Sequence, residues 1–300
     1  MERMRIGLVG ATGVGKTGLA LELARAEPRL ALFSCDSMAV YRGMDLGTAK
    51  PDSEELGAIA YRLVDLADPG QEFSVADYQR AAWAAETVLE AGQVPLYVGG
   101  TGLYFSAVFD RLAIPPSDPK VREGIANELE AVGGTEMHRR LAEVDPLAAS
   151  RIEPGNARRI VRALEVIAIT GRRFSSFGPG LAAYREPGGR LFGLQMEFEL
   201  LDARIEARVS ELLGRGWLAE CERLLAAGPL SRTAAQAIGY HELFSVLRGE
   251  ATLDQVVPVI VSRTRRFARR QRSWFRRDPR IVWHEDPAEL GAALLQVVGE

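Results

Sequence analysis

The sequence predicts an α/β protein, a parallel β-sheet flanked by helices and interrupted by a helical insertion, on three observations. The short apolar run Ile6-Gly7-Leu8-Val9 is followed at once by Gly10-Ala11-Thr12-Gly13-Val14-Gly15-Lys16-Thr17 and then by helical apolar spacing to Ala26. Further short apolar runs follow helical stretches and end in loops of glycine and small polar residues. From about residue 115 the pattern stays helical, with no convincing strand signal until Leu191 to Met196. The octapeptide has the form G-x-x-x-x-G-K-[ST] between a buried strand and a helix. That is a P-loop, in which backbone N–H groups, a helix N-terminus and one lysine surround a phosphate chain. The expected core is therefore P-loop NTPase-like.

The elements follow in order. Ile6 to Val9 forms the first strand, and the helix from Thr17 to Ala26 closes at Pro28. Leu30 to Phe33 forms a second strand running into Ser34-Cys35-Asp36-Ser37, which puts Asp36 at a strand's carboxyl end, facing the P-loop across a right-handed crossover. Tyr61 to Asp65 is another short strand candidate. Ser74, with Asp77 three residues on, starts an alanine-rich helix to about Leu89. Val94 to Val98 is the next buried strand and emerges into Gly99-Gly100-Thr101-Gly102, whose glycines allow a ligand close approach before a further helix. Residues 115–190 read as a helical insertion contacting a partner, and 1–114 with 191–300 as the P-loop core. Within the insertion, Asn156 to Ile169 places Arg158, Arg159 and Arg162 near one another on a helix. Residues 172–180 read as a loop. Helices are expected over 202–213 and 218–227, around Gly239-Tyr240 and over about 256–276, with a last strand at 281–283.

Composition is that of an ordinary globular protein of 300 residues with a net charge of -3. No signal-peptide pattern and no apolar run of about 18 residues is present, so a cytoplasmic protein without membrane association is expected. Cys35 and Cys221 are too few for a disulfide framework. His138, His241 and His284 lack metal-site spacing. Charge is uneven: the basic residues are nearly all arginine, and Arg263 to Arg277 holds no acidic residue. Interleaved with Phe267, Trp274 and Phe275, that run is either a solvated helix face or a set of cations for phosphates.

The chemistry is set by what accompanies the P-loop. Lys16 reaches terminal phosphates and Thr17 offers a hydroxyl to Mg²⁺. A motor ATPase would show an acidic residue at the end of a second buried strand, whereas Val94 to Val98 ends in Gly-Gly-Thr-Gly. Hydrolysis is disfavoured and group transfer from a phosphorylated donor is the better class. Asp36 is the candidate general base, and Thr101 is placed to present a hydroxyl to a ligand.

At this point the residues carry a resemblance. GATGVGKT, SCDSMAVYRGMDLGTAKP (34 to 51), LVD (63 to 65), FSVADY (73 to 78), YVGGTGLY (97 to 104), RRIVRALEV (158 to 166) and TRRFARRQRSWFR (264 to 276) resemble the tRNA dimethylallyltransferases. The resemblance implies transfer of a dimethylallyl group from dimethylallyl pyrophosphate to N6 of the adenosine immediately 3′ of the anticodon. It implies that Gly10, Thr12, Gly13, Val14, Gly15, Lys16 and Thr17, with Arg204, hold the pyrophosphate, and that Thr17 binds Mg²⁺. It further implies that Asp36, Thr101 and Lys16 are catalytic. Asp36, Ser37, Met38, Ala39, Thr101, Arg122, Arg158, Arg159 and Arg162 would contact the anticodon arm of the tRNA. The chain departs from many relatives in having Ala39 where they have Gln, and in lacking a histidine pair near Tyr61-Arg62. No zinc-finger extension is expected, and nothing requires more than a monomer. An adenylate prenyltransferase, an ATP-dependent small-molecule kinase and an RNA-binding protein that only senses a nucleotide are the alternatives.

Overall fold

The computed structural model describes residues 4–178, 184 and 188–299. Its central feature is one six-stranded sheet of order β3-β2-β4-β1-β5-β6, every described pair parallel. The strands are β1 (Arg5–Val9), β2 (Leu30–Cys35), β3 (Tyr61–Arg62), β4 (Val94–Gly99), β5 (Gly189–Leu194) and β6 (Ile281–His284). Parallel strands need crossovers that cover both faces of the sheet, so their apolar runs are buried throughout. Ile6, Leu8, Leu32, Phe33, Leu96 and Tyr97 are all fully buried. The sheet also buries an ion pair: Arg5 Nε donates to Glu86 Oε1 at 2.7 Å, and the Tyr97 hydroxyl donates to the same oxygen at 2.7 Å.

The core helices are α1 (Lys16–Ala26), α2 (Ser53–Leu56), α3 (Val75–Thr87) and α4 (Gly102–Phe109) before the insertion. The chain clusters into two compact units, residues 1–110 with 184–300 and Arg111–Ala183. The second unit holds α5 (Pro119–Val132), α6 (Gly134–Val144), α7 (Pro146–Arg151) and α8 (Ala157–Thr170). The first unit resumes with α9 (Phe198–Gly214), α10 (Trp217–Ala227), α11 (Arg232–Ala235), α12 (Tyr240–Leu247), α13 (Leu253–Phe275) and α14 (Pro287–Gly299).

Ser74 and Asp77 form the capping box that starts α3. The strand expected over 61–65 is cut to Tyr61–Arg62, because Leu63 and Asp65 adopt left-handed backbone at φ 64° and 55°. Lys50 Nζ ties this turn down, 2.6 Å from both Asp45 and Asp65, so those two carboxylates shape a loop. β5 lies two residues earlier than expected, over Gly189–Leu194, and α9 begins at Phe198. Gly239 lies just outside α12, at φ 87°, where a Cβ would sit 2.0 Å from the Trp217 ring. α13 starts at Leu253 because Thr252 and Gln255 cap it, and it runs through Pro258.

The Arg111–Ala183 unit has its own core of Met137, Leu141, Ile160 and Ala163. Asp145 caps α7 through Ala148 N and also accepts from Ser175 N at 2.8 Å. The last two positions of the loop expected over 172–180 lie outside the described residues.

Candidate active site

The site forms where β1, β2 and β4 end side by side, the place parallel α/β sheets use for ligands. Gly10, Gly13 and Gly15 all have positive φ, at 154°, 87° and 103°. At Gly10 the requirement is steric as well, since a Cβ would stand 2.4 Å from the Leu194 carbonyl oxygen. Ala11 and Val14 are buried under the loop, while Thr12, Gly13 and Thr17 are half-buried and Gly15 is exposed at the start of α1. The loop therefore offers backbone donors and a helix N-terminus on its open side.

Lys16 is buried, and its Nζ donates to the Ala11 carbonyl at 2.6 Å. Burial lowers its pKa to about 8, against the opposing pull of the Asp36 carboxylate and with a further push from Arg208. Asp36 thus faces Lys16 across the strand ends. The Asp36 Oδ1 accepts from Met38 N at 2.8 Å and Ala39 N at 3.4 Å. One oxygen holds the turn in place, and among the described residues the other makes no hydrogen bond. Ala39 is buried and offers no polar group.

Thr101 N donates to the Cys35 carbonyl at 3.2 Å, and Thr101 Oγ1 accepts from Ser37 N at 3.0 Å. The β2 and β4 loops are stitched together this way, with the threonine hydroxyl beside the carboxylate turn. Cys35, buried under them, has its thiol pKa pushed well up by that burial, which disfavours the thiolate.

Arg204 on α9 lies over the P-loop, where a Cβ on Gly15 would be 3.6 Å from its Nη2. One helical turn on, Arg208 is a site residue that sequence reasoning missed. Burial pulls its pKa below the usual arginine range, against Glu211 and Asp36, with Arg204 adding to the fall. The signal was in the string DARIEARV, since a spacing of four puts both arginines on one helix face. Among the described residues neither makes a salt bridge; Arg204 stands over Gly15 of the P-loop, and the charges of Glu211 and Asp36 act on Arg208.

Two more residues lie at the site: Tyr61, which the sequence marks only by the absent histidine pair, and Gln271, which it shows only within the arginine-rich string. Burial raises the pKa of the Tyr61 hydroxyl, offset by hydrogen bonds with the Ser34 and Thr17 hydroxyls, which places the phenol beside Thr17 and near Asp36. Gln271, on α13, is 5% exposed and bridges the P-loop and the Thr101 loop: Thr12 N donates to its Oε1 at 2.8 Å, and its Nε2 donates to the Gly100 carbonyl at 3.0 Å. The Thr12 amide is thus engaged within the protein. Tyr61 lies on a short strand and Gln271 within the TRRFARRQRSWFR string, but the contacts that bring them to the site are apparent only in the fold.

The arginine-rich helix is mostly tied inward. Arg263 pairs with Glu242, Arg265 with Glu206, Arg269 with Asp202, and Arg272 donates to the Met196 carbonyl. Arg266 and Arg270 remain on its exposed side.

In the Arg111–Ala183 unit the predicted arginines divide. The Glu165 carboxylate is fully buried and accepts from Ser117 Oγ and Asp118 N at 2.9 Å each, from Arg122 Nε at 3.1 Å and from Arg162 Nη1 at 2.8 Å. Burial would raise its pKa, but these donors, Arg162 foremost, hold it below the usual carboxylate range. Arg162 also donates to the Pro115 and Pro116 carbonyls. Arg158 and Arg159 are exposed and carry none of this.

Among the described residues no three His, Cys, Asp or Glu side chains converge on a metal position, and no helix is long and apolar enough to cross a membrane. The oxygen donors beside Lys16 are hydroxyls and one carboxylate, a hard set that suits Mg²⁺ shared with a phosphate ligand rather than a protein-only cage.

Residues 39–278 match the family model described as IPP transferase. The tRNA dimethylallyltransferase of Nocardioides sp. is 44% identical over 295 residues, covering 96% of this chain and 94% of that protein. That of Geobacter metallireducens is 41% identical over 305 residues, covering 99% and 98%. Among solved structures, the tRNA isopentenylpyrophosphate transferase of Bacillus halodurans is similar at a TM-score of 0.71 and 34% identity, covering 100% of this chain and 97% of that one. A eukaryotic dimethylallyltransferase acting on tRNA shares the fold at a TM-score of 0.79 and 24% identity, over 98% of this chain and 78% of that one.

Proposed function

Because the chain belongs to the IPP transferase family and is a tRNA-modifying prenyltransferase, we infer that it moves a dimethylallyl group from dimethylallyl pyrophosphate to an adenosine N6. The acceptor is the adenosine 3′ of the anticodon, as the sequence resemblance implies. The observation that carries this reading is the opposition of one carboxylate, Asp36, to a phosphate cradle built from Gly13 to Thr17, Lys16, Arg204 and Arg208. A cradle of this kind faces a leaving group, and a base placed across from it serves an incoming nucleophile.

The reaction then runs in one displacement. The adenine N6 attacks the allylic carbon as the C–O bond to pyrophosphate breaks, and the N6 proton passes to the free oxygen of Asp36. Lys16, Arg204, Arg208 and the loop amides meet the charge that develops on the departing oxygen. Thr17 is the residue that would hold Mg²⁺, whose chemistry there is neutralisation of pyrophosphate charge. Thr101, held by Ser37 N, positions the acceptor. The acceptor base has to leave its stack to reach this site, which is usual for enzymes that do chemistry on a base. With tRNA as substrate, the enzyme works in the cytoplasm.

Labelled dimethylallyl pyrophosphate is incubated with unmodified tRNA, with AMP, and with neither; ATP with nucleosides is tested separately. Label is expected on tRNA alone, at the adenosine 3′ of the anticodon. Label on AMP and never on tRNA supports an adenylate prenyltransferase and sinks this reading, as does phosphoryl transfer from ATP.

The split among the insertion's arginines makes a second prediction. Arg158→Ala and Arg159→Ala are each expected to lower tRNA affinity and reduce the salt slope by about one, because each is free to meet a phosphate. Arg162→Ala is expected to act mainly through stability, by about 2 kcal/mol, since it removes the foremost donor to a buried carboxylate that keeps only Arg122, Ser117 and the Asp118 amide. Filter binding across salt and thermal denaturation separate the two. An unchanged salt slope in the Arg158 and Arg159 variants contradicts the assignment.

A further inference from the structure

The geometry points to Gln271 as the positioning residue that sets the spacing between the leaving-group loop and the acceptor loop. The inference rests on the reading above, in which the P-loop holds pyrophosphate and Thr101 stands beside the acceptor. Its carboxamide is buried and makes one bond in each direction, accepting from Thr12 N at 2.8 Å and donating to the Gly100 carbonyl at 3.0 Å. Thr12 belongs to the loop after β1, and Gly100 to the loop after β4. Thr101, the next residue, reaches the Cys35 carbonyl and Ser37 N of the β2 loop. A single side chain, 259 residues from Thr12 in sequence, therefore closes a chain of hydrogen bonds across all three strand ends.

The chemistry of the two partners makes the residue specific. A backbone N–H only donates and a carbonyl only accepts, so both are satisfied by one orientation of a carboxamide. A carboxylate satisfies Thr12 and repels the Gly100 oxygen; a hydrocarbon satisfies neither. The fit is close: a Cβ on Gly100 would lie 2.1 Å from Gln271 Nε2. The Thr12 amide is committed to this bond, so the amides turned to a phosphate begin after it.

The helix that carries Gln271 is itself braced. Arg265 and Arg269 pair with Glu206 and Asp202 on α9, the helix that presents Arg204 and Arg208. α13 is thus tied by ion pairs to α9, the helix that carries Arg204 and Arg208, and to both site loops by Gln271. Three of the eight arginines in the 263–277 run, Arg263, Arg265 and Arg269, are paired with protein carboxylates. Reacting groups held about 1 Å out of place lose about 100-fold in rate, and Gln271 touches the backbone of both loops that hold them.

Gln271→Met and Gln271→Glu test this in the full chain, with Mg²⁺, dimethylallyl pyrophosphate and tRNA. Gln271→Met is expected to lower kcat, counted per pyrophosphate-binding site by calorimetry, by about 100-fold while leaving KM for tRNA within about twofold; counting sites removes the share of unfolded protein, which would itself lower apparent kcat at unchanged KM. Gln271→Glu, which keeps the Thr12 bond, is expected to fall between wild type and Gln271→Met. Pyrophosphate binding by calorimetry is expected to weaken only severalfold in both. Full kcat in a folded Gln271→Met, or a raised KM at unchanged kcat, overturns the assignment. If Gln271→Met does not fold, the near-isosteric Gln271→Glu decides, and wild-type kcat in it overturns the assignment equally. A wild-type enzyme that prenylates no tRNA is a failure of the functional reading and is seen before any variant is made.

Discussion

Asp36→Asn is expected to lower prenyl transfer by about 10²- to 10⁴-fold, the range lost when a positioned base is removed. Asparagine keeps the Oδ1 acceptor that receives Met38 N and Ala39 N, so the turn at the end of β2 survives. What it lacks is an oxygen able to take the N6 proton. Affinity for tRNA is expected to stay within about twofold, because the phosphate contacts that dominate it lie elsewhere. Single-turnover transfer and tRNA binding, measured on one preparation, check this. Turnover within a few-fold of wild type would remove Asp36 from the base role.

Lys16→Met is expected to cost about 10²- to 10³-fold in transfer and to weaken pyrophosphate binding, since it removes a preorganised cation from the leaving-group site. The fold is expected to persist, because Nζ has one protein partner, the Ala11 carbonyl, and charge burial is relieved. The titration of Lys16 adds a pH signature. Its pKa near 8 lies below the ordinary 10.5, so between those values the unfolded chain binds more protons than the folded one. Stability therefore rises with pH across that window, and the penalty for burying the charge is fully present below about pH 8. Pyrophosphate prefers the charged form, so its affinity for the wild type falls as pH climbs above about 8. In Lys16→Met that dependence is expected to vanish. Calorimetric titrations from pH 7 to 9.5 read it directly, and a pH-independent wild type contradicts the cradle role of Lys16.

The parts of the fold legible in the sequence are those with local causes. The P-loop announces itself because positive φ at successive glycines, a buried strand before and a helix after are all contiguous. The helix starts at Ser74 and Asn156 were visible because capping is a contact between residues three apart. In two places a non-local contact had won over the sequence reading. The strand expected over 61–65 shrinks because Lys50 draws Asp45 and Asp65 together and the backbone turns left-handed. The basic run at 263–277 was legible as cations but not as a brace, because its carboxylate partners lie on α9 and α12.

By itself the sequence determined the sheet, the phosphate loop and the family and singled out Asp36 as the candidate base, since each is written in short runs whose meaning depends on neighbours a few residues away. The tertiary structure alone decided which arginines are free. Arg204 stands exposed over the P-loop, Arg208 is half-buried one turn along the same helix, Arg158 and Arg159 are exposed on α8, and Arg122 and Arg162 pair with Glu165. It also decided that a glutamine joins the two loops of the site. An arginine's charge is a property of its residue, but whether that charge is available depends on a carboxylate that the chain brings from far away.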